Sequence, residues 1–262
     1  MYKKRISFAG AGRVGAAICK ELYRAGYPID LIVSESGESC MRIAEICEAA
    51  WSTELVFPNT TDVIIVAVPD HKILSVLSTL KCKPETLVAH TAGSFGLEVF
   101  PEGRGVSGIF YPLQTFTKGR DVNFREVPLL IEASDRKSSE TLEELGKSIC
   151  DKVYFTDAEH RKVLHLAAVF VSNFTNHLLT LGKVVSLKTG YDFEILKPLI
   201  VETISKALAI GPENSQTGPA IRNDRITMEK QFDLLSFSPE LQTIYKELTD
   251  SIIDYYKVKS KK

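Results

Sequence analysis

The stretch Gly10-Ala11-Gly12-Arg13-Val14-Gly15 follows a short apolar run, Ile6–Ala9, and precedes apolar residues at helical spacing. Glycines at the first, third and sixth positions between a strand and a helix are typical of dinucleotide binding. Gly10 permits a tight turn, Gly12 lets a diphosphate approach the backbone, and Gly15 lets the helix pack on the strand. An ordinary glycine-rich turn is the alternative, but the position between strand and helix favours a dinucleotide site.

The helix after this turn is predicted to begin with backbone N–H groups that lack a partner inside the helix. These groups face the phosphates, because the N-terminus of a helix has a partial positive charge that attracts anions. The side chain of Arg13 adds a second source of positive charge. The residues expected to bind the cofactor here are Gly10, Gly12, Arg13, Val14 and Gly15.

The first half of the chain alternates short apolar runs with helical patterns, which favours a parallel sheet covered by helices on both faces. The predicted strands are Ile6–Ala9, Ile29–Val33, Val63–Val68, Leu87–His90, Gly108–Tyr111 and Val127–Ile131. The predicted helices are Val14–Ala25, Ser39–Ala50, Ile73–Leu80, 157–187, 193–210, 225–235 and 239–256. The sequence therefore predicts an α/β fold, with a Rossmann-type, doubly wound, mostly parallel sheet over 1–156 and an all-helical domain over 157–262.

The charge balance and the cysteine pattern exclude several classes of protein. The 262 residues include 32 Lys and Arg against 33 Asp and Glu, so the net charge of -1 gives no general attraction to nucleic acid. The longest apolar run, Val63–Val68, is too short to span a membrane. Five scattered cysteines without a C-x-x-C pair, and His160 and His165 five residues apart, predict neither a disulfide framework nor a metal site. We expect a cytoplasmic protein.

The end of the second predicted strand is where the adenine ribose should bind. Glu35 favours NAD, because a carboxylate accepts hydrogen bonds from ribose hydroxyls and repels a 2′-phosphate. Ser34 and Ser36, with Arg42 nearby, favour NADP instead. If Ser34 ends the strand, Glu35 points away from the ribose, so we expect NADP, with NAD as the alternative.

Pro69 and Asp70 end the buried run Val63–Val68. Ligands of an open parallel sheet bind beyond the carboxyl ends of its strands. Both residues are therefore expected to bind the cofactor, with Pro69 holding the chain against it. The alternative for Asp70 is a cap on the helix that begins near His71.

Six segments in fixed order resemble those of a known family: GAGRVG, VAVPD, HTAGSFG, YPLQTF, AAVFVSNF and TGPAIRND. Together they resemble a bacterial family assigned to the NAD(P)-dependent oxidoreductases, in which a Rossmann-like domain precedes a helical domain of unknown function. More distantly, the layout resembles pyrroline-5-carboxylate reductase and the 6-phosphogluconate dehydrogenase-like superfamily. The resemblance implies a homodimer formed through the helical domain, which also supplies one wall of the active site.

The loop at His90-Thr91-Ala92-Gly93-Ser94 corresponds to one that lies near the nicotinamide in the resembling dehydrogenases. Ser94 is expected to hydrogen-bond the carboxamide or a substrate group. The stretch is not a nucleophile elbow, because a glycine directly precedes the serine. His90 is interpreted as a buried structural histidine, with a catalytic role as the less favoured alternative.

Gln114 follows the next strand and is expected to bind substrate, with a packed turn as the alternative. Relatives in the resembling family often have histidine before Pro112, where this chain has Tyr111. That difference weakens the transfer of an acid–base role to this position.

A helix with a mixed polar face contains His165, Asn173 and His177. The resembling hydroxyacid dehydrogenases place a lysine and an asparagine one turn apart here, but this chain has no lysine between Lys162 and Lys183. We expect His165 to act as the acid, with Asn173 orienting it or a water and His177 binding substrate. The alternative is a dimer or interdomain contact.

The loop Thr217–Asp224 resembles the Ser/Pro/Gly-rich loop of pyrroline-5-carboxylate reductase. Thr217 is expected to hold a substrate carboxylate, and Arg222 to add a bidentate clamp. Alternatively, Asp224 caps the next helix or pairs with Arg222 as a structural ion pair.

These features predict an oxidoreductase that transfers a hydride between nicotinamide and a C=O or C=N bond of a small, anionic metabolite. The main alternative is a non-catalytic NAD(P)-binding sensor or regulatory protein, which needs the same glycine motif. FAD or S-adenosylmethionine in the cleft is a third and weaker alternative. We expect no nucleic-acid or membrane partner.

Overall fold

The computed structural model describes residues 3–117 and 119–259. The chain divides into two compact units, the first ending at Asn173 and the second beginning at Phe174. Each unit is described by itself below. The predicted domain boundary at 156/157 stays a prediction.

The first unit contains an eight-stranded sheet. Its strands are β1 (Ile6–Ala9), β2 (Ile29–Val33), β3 (Ala50–Ser52), β4 (Val63–Val66), β5 (Leu87–His90), β6 (Ser107–Pro112), β7 (Pro128–Ala133) and β8 (Lys152–Phe155). They are arranged in the order β3-β2-β1-β4-β5-β6-β7-β8, and every neighbouring pair is parallel except β6 and β7. This order reverses direction between β1 and β4, and a ligand crevice forms at such a switch point. The predicted Rossmann-type sheet is confirmed.

Five helices belong to the first unit. They are α1 (Arg13–Arg24), α2 (Gly37–Ile46), α3 (Ile73–Thr79), α4 (Arg136–Ile149) and α5 (Ala158–Ala168). Side chains of β4 alternate between two cores, because Val63 and Ile65 pack with α1 and α4 whereas Ile64 and Val66 pack with α3. The helices therefore cover both faces of the sheet, as the sequence predicts.

Both edges of the sheet differ from the sequence-based prediction. The predicted helix Ser39–Ala50 ends at Ile46, and Glu48 has a positive φ of 51° that turns the chain into edge strand β3. The opposite edge, β8, lies just before α5 and was not predicted as a strand. Edge strands are short and partly exposed here, so they lack the continuous apolar run by which buried parallel strands are found.

The second unit is helical in its described part. Its helices are α6 (Thr175–Ser186), α7 (Lys197–Ile210), α8 (Pro212–Ser215), α9 (Arg225–Leu234) and α10 (Pro239–Lys259). The predicted helix 157–187 contains a π-helical segment, Val169–Phe174, between α5 and α6. Within the described residues, no helix combines the length and the apolar character needed to cross a membrane.

Candidate active site

The three glycines of the turn after β1 have different surroundings. Gly10 has a φ of +109°, and a Cβ on it would lie 2.2 Å from the carbonyl oxygen of Ala67. A Cβ on Gly15 would lie 2.2 Å from the carbonyl oxygen of Gly10. A Cβ on Gly12, by contrast, would meet no described atom within 4 Å. The turn is thus tightly packed at its first and last glycine and open at the middle one.

This open position faces a cavity of about 300 Å³ at the carboxyl ends of β1, β2 and β4. Gly12 is the N-cap of α1, whose first turn contains Arg13 but no acidic residue. The cavity offers backbone at Gly10 and Gly12 and hydroxyl groups at Ser34 and Ser36. A helix N-terminus without a carboxylate beside it suits a phosphate. These residues fit the diphosphate and ribose of a dinucleotide.

Two of the cations expected at this cavity lie elsewhere. Arg42 and Arg13 line a second cavity of about 560 Å³ on the outer side of α1, together with Arg120. The guanidinium of Arg13 donates a hydrogen bond to the carbonyl oxygen of Phe116 at 3.4 Å. Arg42 is exposed and does not line the cavity that contains Ser34 and Ser36, so its expected place beside the ribose stays a prediction.

A second group of polar side chains lies at the carboxyl ends of β4, β5 and β6. The hydroxyl of Ser94 donates a hydrogen bond to the carboxylate of Asp70. The expected capping role of Asp70 is wrong, because Asp70 lies inside a 3-10 turn, Asp70–Lys72, whose N-cap is Pro69. This arrangement joins two predicted site residues across neighbouring strands.

Tyr111, at the end of β6, forms a hydrogen bond between its hydroxyl and Nδ1 of His165 at 2.8 Å. The two rings meet edge to face with centroids 5.8 Å apart. A Cβ on Gly93 would lie 2.8 Å from both His165 Nδ1 and Tyr111 Cζ. Only glycine at position 93 leaves room for this pair. The need for that space explains why the loop His90–Ser94 has a glycine there.

Burial, followed by the charge of Asp70, raises the pKa of Tyr111 to about 12 against a smaller opposing effect of Arg161. The phenol therefore keeps its proton at neutral pH. A protonated phenol donates to an imidazole nitrogen that lacks a proton. The hydroxyl can equally accept from Nδ1–H, so in either tautomer Nδ1 is engaged by Tyr111 and Nε2 is the nitrogen that does not contact it.

His90 is fully buried at the end of β5. Its Nδ1 accepts a hydrogen bond from the backbone N–H of Ala92 at 3.2 Å, and its Nε2 lies 3.4 Å from the carbonyl oxygen of Gly96. Burial is the main cause that lowers the pKa of His90 to about 4. Both nitrogens are engaged with the backbone, which confirms the interpretation as a structural histidine.

Arg161 is a site residue that the sequence analysis missed. Its side chain is fully buried, donates to Glu132 Oε2 at 2.6 Å and to the carbonyl oxygen of Phe95 at 2.7 Å. It stands four residues before His165, on the same face of α5. Arg161 therefore fixes α5 against β7 and the loop that contains Ser94. An arginine in a helix carries no sequence signal of such burial.

The remaining predicted residues of the first unit are exposed. Gln114 accepts a hydrogen bond from the backbone N–H of Thr115 at 2.8 Å. Asn173 lies in the π-helical segment, and its side chain has no hydrogen bond to any described residue. The expected shared face of His165 and Asn173 assumed α-helical spacing, but i→i+5 bonding changes the register between them. The catalytic and substrate roles of these residues stay predictions.

In the second unit, His177 lies on α6, and Thr217 and Arg222 lie in the loop before α9, all with exposed side chains. Asp224 caps α9 by accepting hydrogen bonds from the backbone N–H of Thr227 at 3.1 Å and from its hydroxyl at 2.7 Å. The capping alternative for Asp224 is confirmed. Across the described residues, no group of three or more His, Cys, Asp or Glu is arranged to hold a metal ion.

Comparison with known proteins identifies the family. Residues 2–103 match the Rossmann-like domain, and residues 127–252 match the domain of unknown function DUF2520. No curated protein matches the chain. A protein of Bacteroides fragilis assigned to the NADP oxidoreductases is 35% identical, with a TM-score of 0.87 over 96% of this chain and 98% of that one. The chain belongs to this family, in which a Rossmann-like domain is joined to a DUF2520 domain.

Two further solved structures share the fold. A protein of Thermotoga maritima is 22% identical, with a TM-score of 0.79 over 96% of this chain and 99% of that one. A reductive aminase of Aspergillus terreus, solved with NADPH and ethyl-5-oxohexanoate, is 12% identical, with a TM-score of 0.72 over 97% of this chain and 100% of that one. These likenesses extend over both units of the chain.

The lowered pKa of His90 predicts a pH-dependent stability. As pH falls from 6.5 to 4, the unfolded chain binds a proton at His90 that the folded chain does not, so the free energy of unfolding decreases. The expected contribution is about 3 kcal/mol across this range. Urea unfolding of His90→Gln at pH 4.5 and pH 7 should show a smaller difference than the unmodified protein shows.

The same substitution at the exposed His71 is the matched control, and it should leave the difference between the two pH values unchanged. Equal pH dependence in His90→Gln and the unmodified protein would contradict the assignment of His90 as a buried, neutral histidine.

Proposed function

We propose that the protein is an NAD(P)-dependent oxidoreductase that transfers a hydride between nicotinamide and a C=O or C=N bond of a small, anionic metabolite. The observation that carries the proposal is the turn after β1, where Gly12 is open to a cavity of about 300 Å³ while Gly10 and Gly15 are tightly packed. The family relationship to the B. fragilis protein supports the same chemistry.

The cofactor would be held at the N-terminus of α1 and the ends of β2 and β4. The backbone N–H groups of Gly12, Arg13 and Val14 are proposed to bind the diphosphate, and the hydroxyls of Ser34 and Ser36 the ribose. Pro69 lines the same cavity. NADP is the proposed cofactor, with NAD as the alternative. When bound, the nicotinamide ring supplies or accepts the hydride.

His165 is the proposed proton donor to the oxygen or nitrogen of the substrate. When His165 is protonated, its Nδ1–H donates to the hydroxyl of Tyr111, and its Nε2–H is left to pass a proton to the substrate. Buried Arg161 fixes the helix that presents His165. Ser94, oriented by Asp70, is placed to hydrogen-bond the carboxamide or the substrate. Asn173 is proposed to orient a water.

The anionic character of the substrate rests on the loop before α9. Asp224 caps α9, and its hydrogen bonds from Thr227, followed by the nearby charge of Arg222, lower the pKa of this carboxyl. Arg222 is exposed, and a guanidinium can bind a substrate carboxylate in bidentate fashion. Thr217, His177 and Gln114 are proposed to complete substrate binding.

The role of His165 can be tested once a metabolite screen that follows NAD(P)H absorbance with both cofactors identifies a substrate. His165→Gln should slow single-turnover hydride transfer by about 100-fold or more, because it removes the proton donor. Tyr111→Phe should cause a smaller loss and change the pH profile, because it removes only the group that orients the imidazole.

His160→Gln is the matched control, since the ring of His160 is exposed and hydrogen-bonds Asp157 at the start of the same helix. Its rate should be unchanged. Single-turnover rates that remain at the original level in both His165→Gln and Asn173→Ala would overturn the assignment of the proton donor.

A homodimer formed through the helical unit is part of the proposal. Helix α7 is apolar on several sides, yet it has no buried residue, and Leu208 is 83% exposed. A helix with apolar residues all around normally lies inside a protein. The chain exposes 15885 Å², whereas two separate globular proteins with the sizes of its units would expose about 13,600 Å². A second copy that covers α7 accounts for both observations.

Leu208→Glu should weaken this association, because it places a charge in the covered surface. Sedimentation equilibrium should give twice the mass of one chain for the unmodified protein and a shift toward the single-chain mass for Leu208→Glu. Leu74→Glu makes the same change at an exposed position of α3, 58% exposed, and should stay dimeric. A single-chain mass for the unmodified protein would overturn the proposed dimer.

A further inference from the structure

We propose that Lys72 selects NADP over NAD by binding the 2′-phosphate, and that Glu35 holds Lys72 in place until the phosphate arrives. This inference rests on the proposed function, because it assumes that a nicotinamide dinucleotide binds at the turn after β1. It assigns a cofactor-selecting role to a lysine far in the sequence from the expected ribose-binding segment at the end of β2.

Lys72 ends the 3-10 turn after β4, and its side chain is 37% exposed. It lines the cavity that contains Ser34 and Ser36, the two hydroxyls at the end of β2. Among the described residues that line this cavity, Lys72 is the only lysine or arginine. Within this cavity, the positive charge for a phosphate beside these serines therefore comes from Lys72. This residue follows β4, which lies on the other side of β1 from β2 in the sheet.

Glu35 stands between the two serines, and its carboxylate binds Lys72 Nζ at 2.5 Å. The Glu35 side chain is 80% exposed, and Lys72 is its only hydrogen-bond partner among the described residues. An exposed ion pair of this kind contributes little to stability, so it opens readily. Glu35 can leave Lys72 and return to solvent without breaking any other described hydrogen bond.

A 2′-phosphate is the ligand group that would cause this exchange. A phosphate monoester has more negative charge than a carboxylate and offers three acceptor oxygens, which suit an ammonium group and two serine hydroxyls. The 2′-hydroxyl of NAD has no charge to compete for Lys72. With NAD, the Glu35–Lys72 pair therefore stays closed, and Glu35 remains able to accept a ribose hydrogen bond.

The other candidate cation lines a different cavity. Arg42 lines the second cavity, on the outer side of α1, and not the cavity that contains the serines. Substitutions at Lys72 and at Arg42 therefore show which of the two cations selects NADP. Lys72 follows β4, whereas Arg42 lies on α2.

The experiment is calorimetric titration of the full chain with NADPH, NADH and 2′,5′-ADP, which requires no substrate and no turnover. Lys72→Gln should lower the affinity for NADPH and for 2′,5′-ADP by about ten-fold or more, which is the loss expected for one charged hydrogen bond. The affinity for NADH should change by no more than about two-fold. Glu35→Gln should strengthen NADPH binding, because the competing carboxylate is gone. Arg42→Gln should leave all three affinities unchanged.

Lys72→Arg keeps the positive charge and should keep the preference for NADPH over NADH. This variant shows whether the loss of affinity in Lys72→Gln comes from the missing charge and not from a general loss of structure. Unchanged NADPH affinity in Lys72→Gln, equal loss for NADPH and NADH, or a larger loss in Arg42→Gln would each overturn the assignment of Lys72. If the unmodified protein binds neither NADPH nor NADH, the proposed function itself fails, and the inference about Lys72 fails with it.

Discussion

The close approach of β1, β4 and α1 at Gly10 and Gly15 is the constraint on which the rest of the first unit depends. A side chain at either glycine would meet a carbonyl oxygen at 2.2 Å, so the backbone segments touch directly. This contact fixes the N-terminus of α1 beside the ends of β2 and β4. The proposed diphosphate site lies at this contact, between the N-terminus of α1 and the serines at the end of β2.

A second constraint sets the geometry of the proposed chemistry. Buried Arg161 links α5 to Glu132 on β7 and to the backbone of Phe95. Because His165 lies one turn further along α5, it meets Tyr111 at 2.8 Å in a space that Gly93 leaves free. The Tyr111–His165 pair is connected to the cavity beside the glycine turn through Asp70, which follows Pro69, accepts a hydrogen bond from Ser94 and adds to the rise that burial causes in the pKa of Tyr111.

The sequence predicts local features of this fold better than contacts between distant segments. The buried strands, the glycine turn and the structural role of His90 follow from patterns within a few residues. Arg42 lines a different cavity from Ser34 and Ser36, because periodicity locates α2 but does not say which cavity its side chains line. Three side-chain pairs join residues that are far apart in the chain, so no local pattern reveals them. These pairs are Arg161 with Glu132, Tyr111 with His165, and Lys72 with Glu35.

The most direct test of the central claim is calorimetric titration of NADPH into the unmodified protein and into Gly12→Ala. A Cβ at Gly12 meets no described atom within 4 Å, so the variant should fold normally. The account predicts binding by the unmodified protein and at least about ten-fold weaker binding by Gly12→Ala, because the new methyl group occupies the space of the diphosphate. Equal affinity in the two proteins would contradict the account.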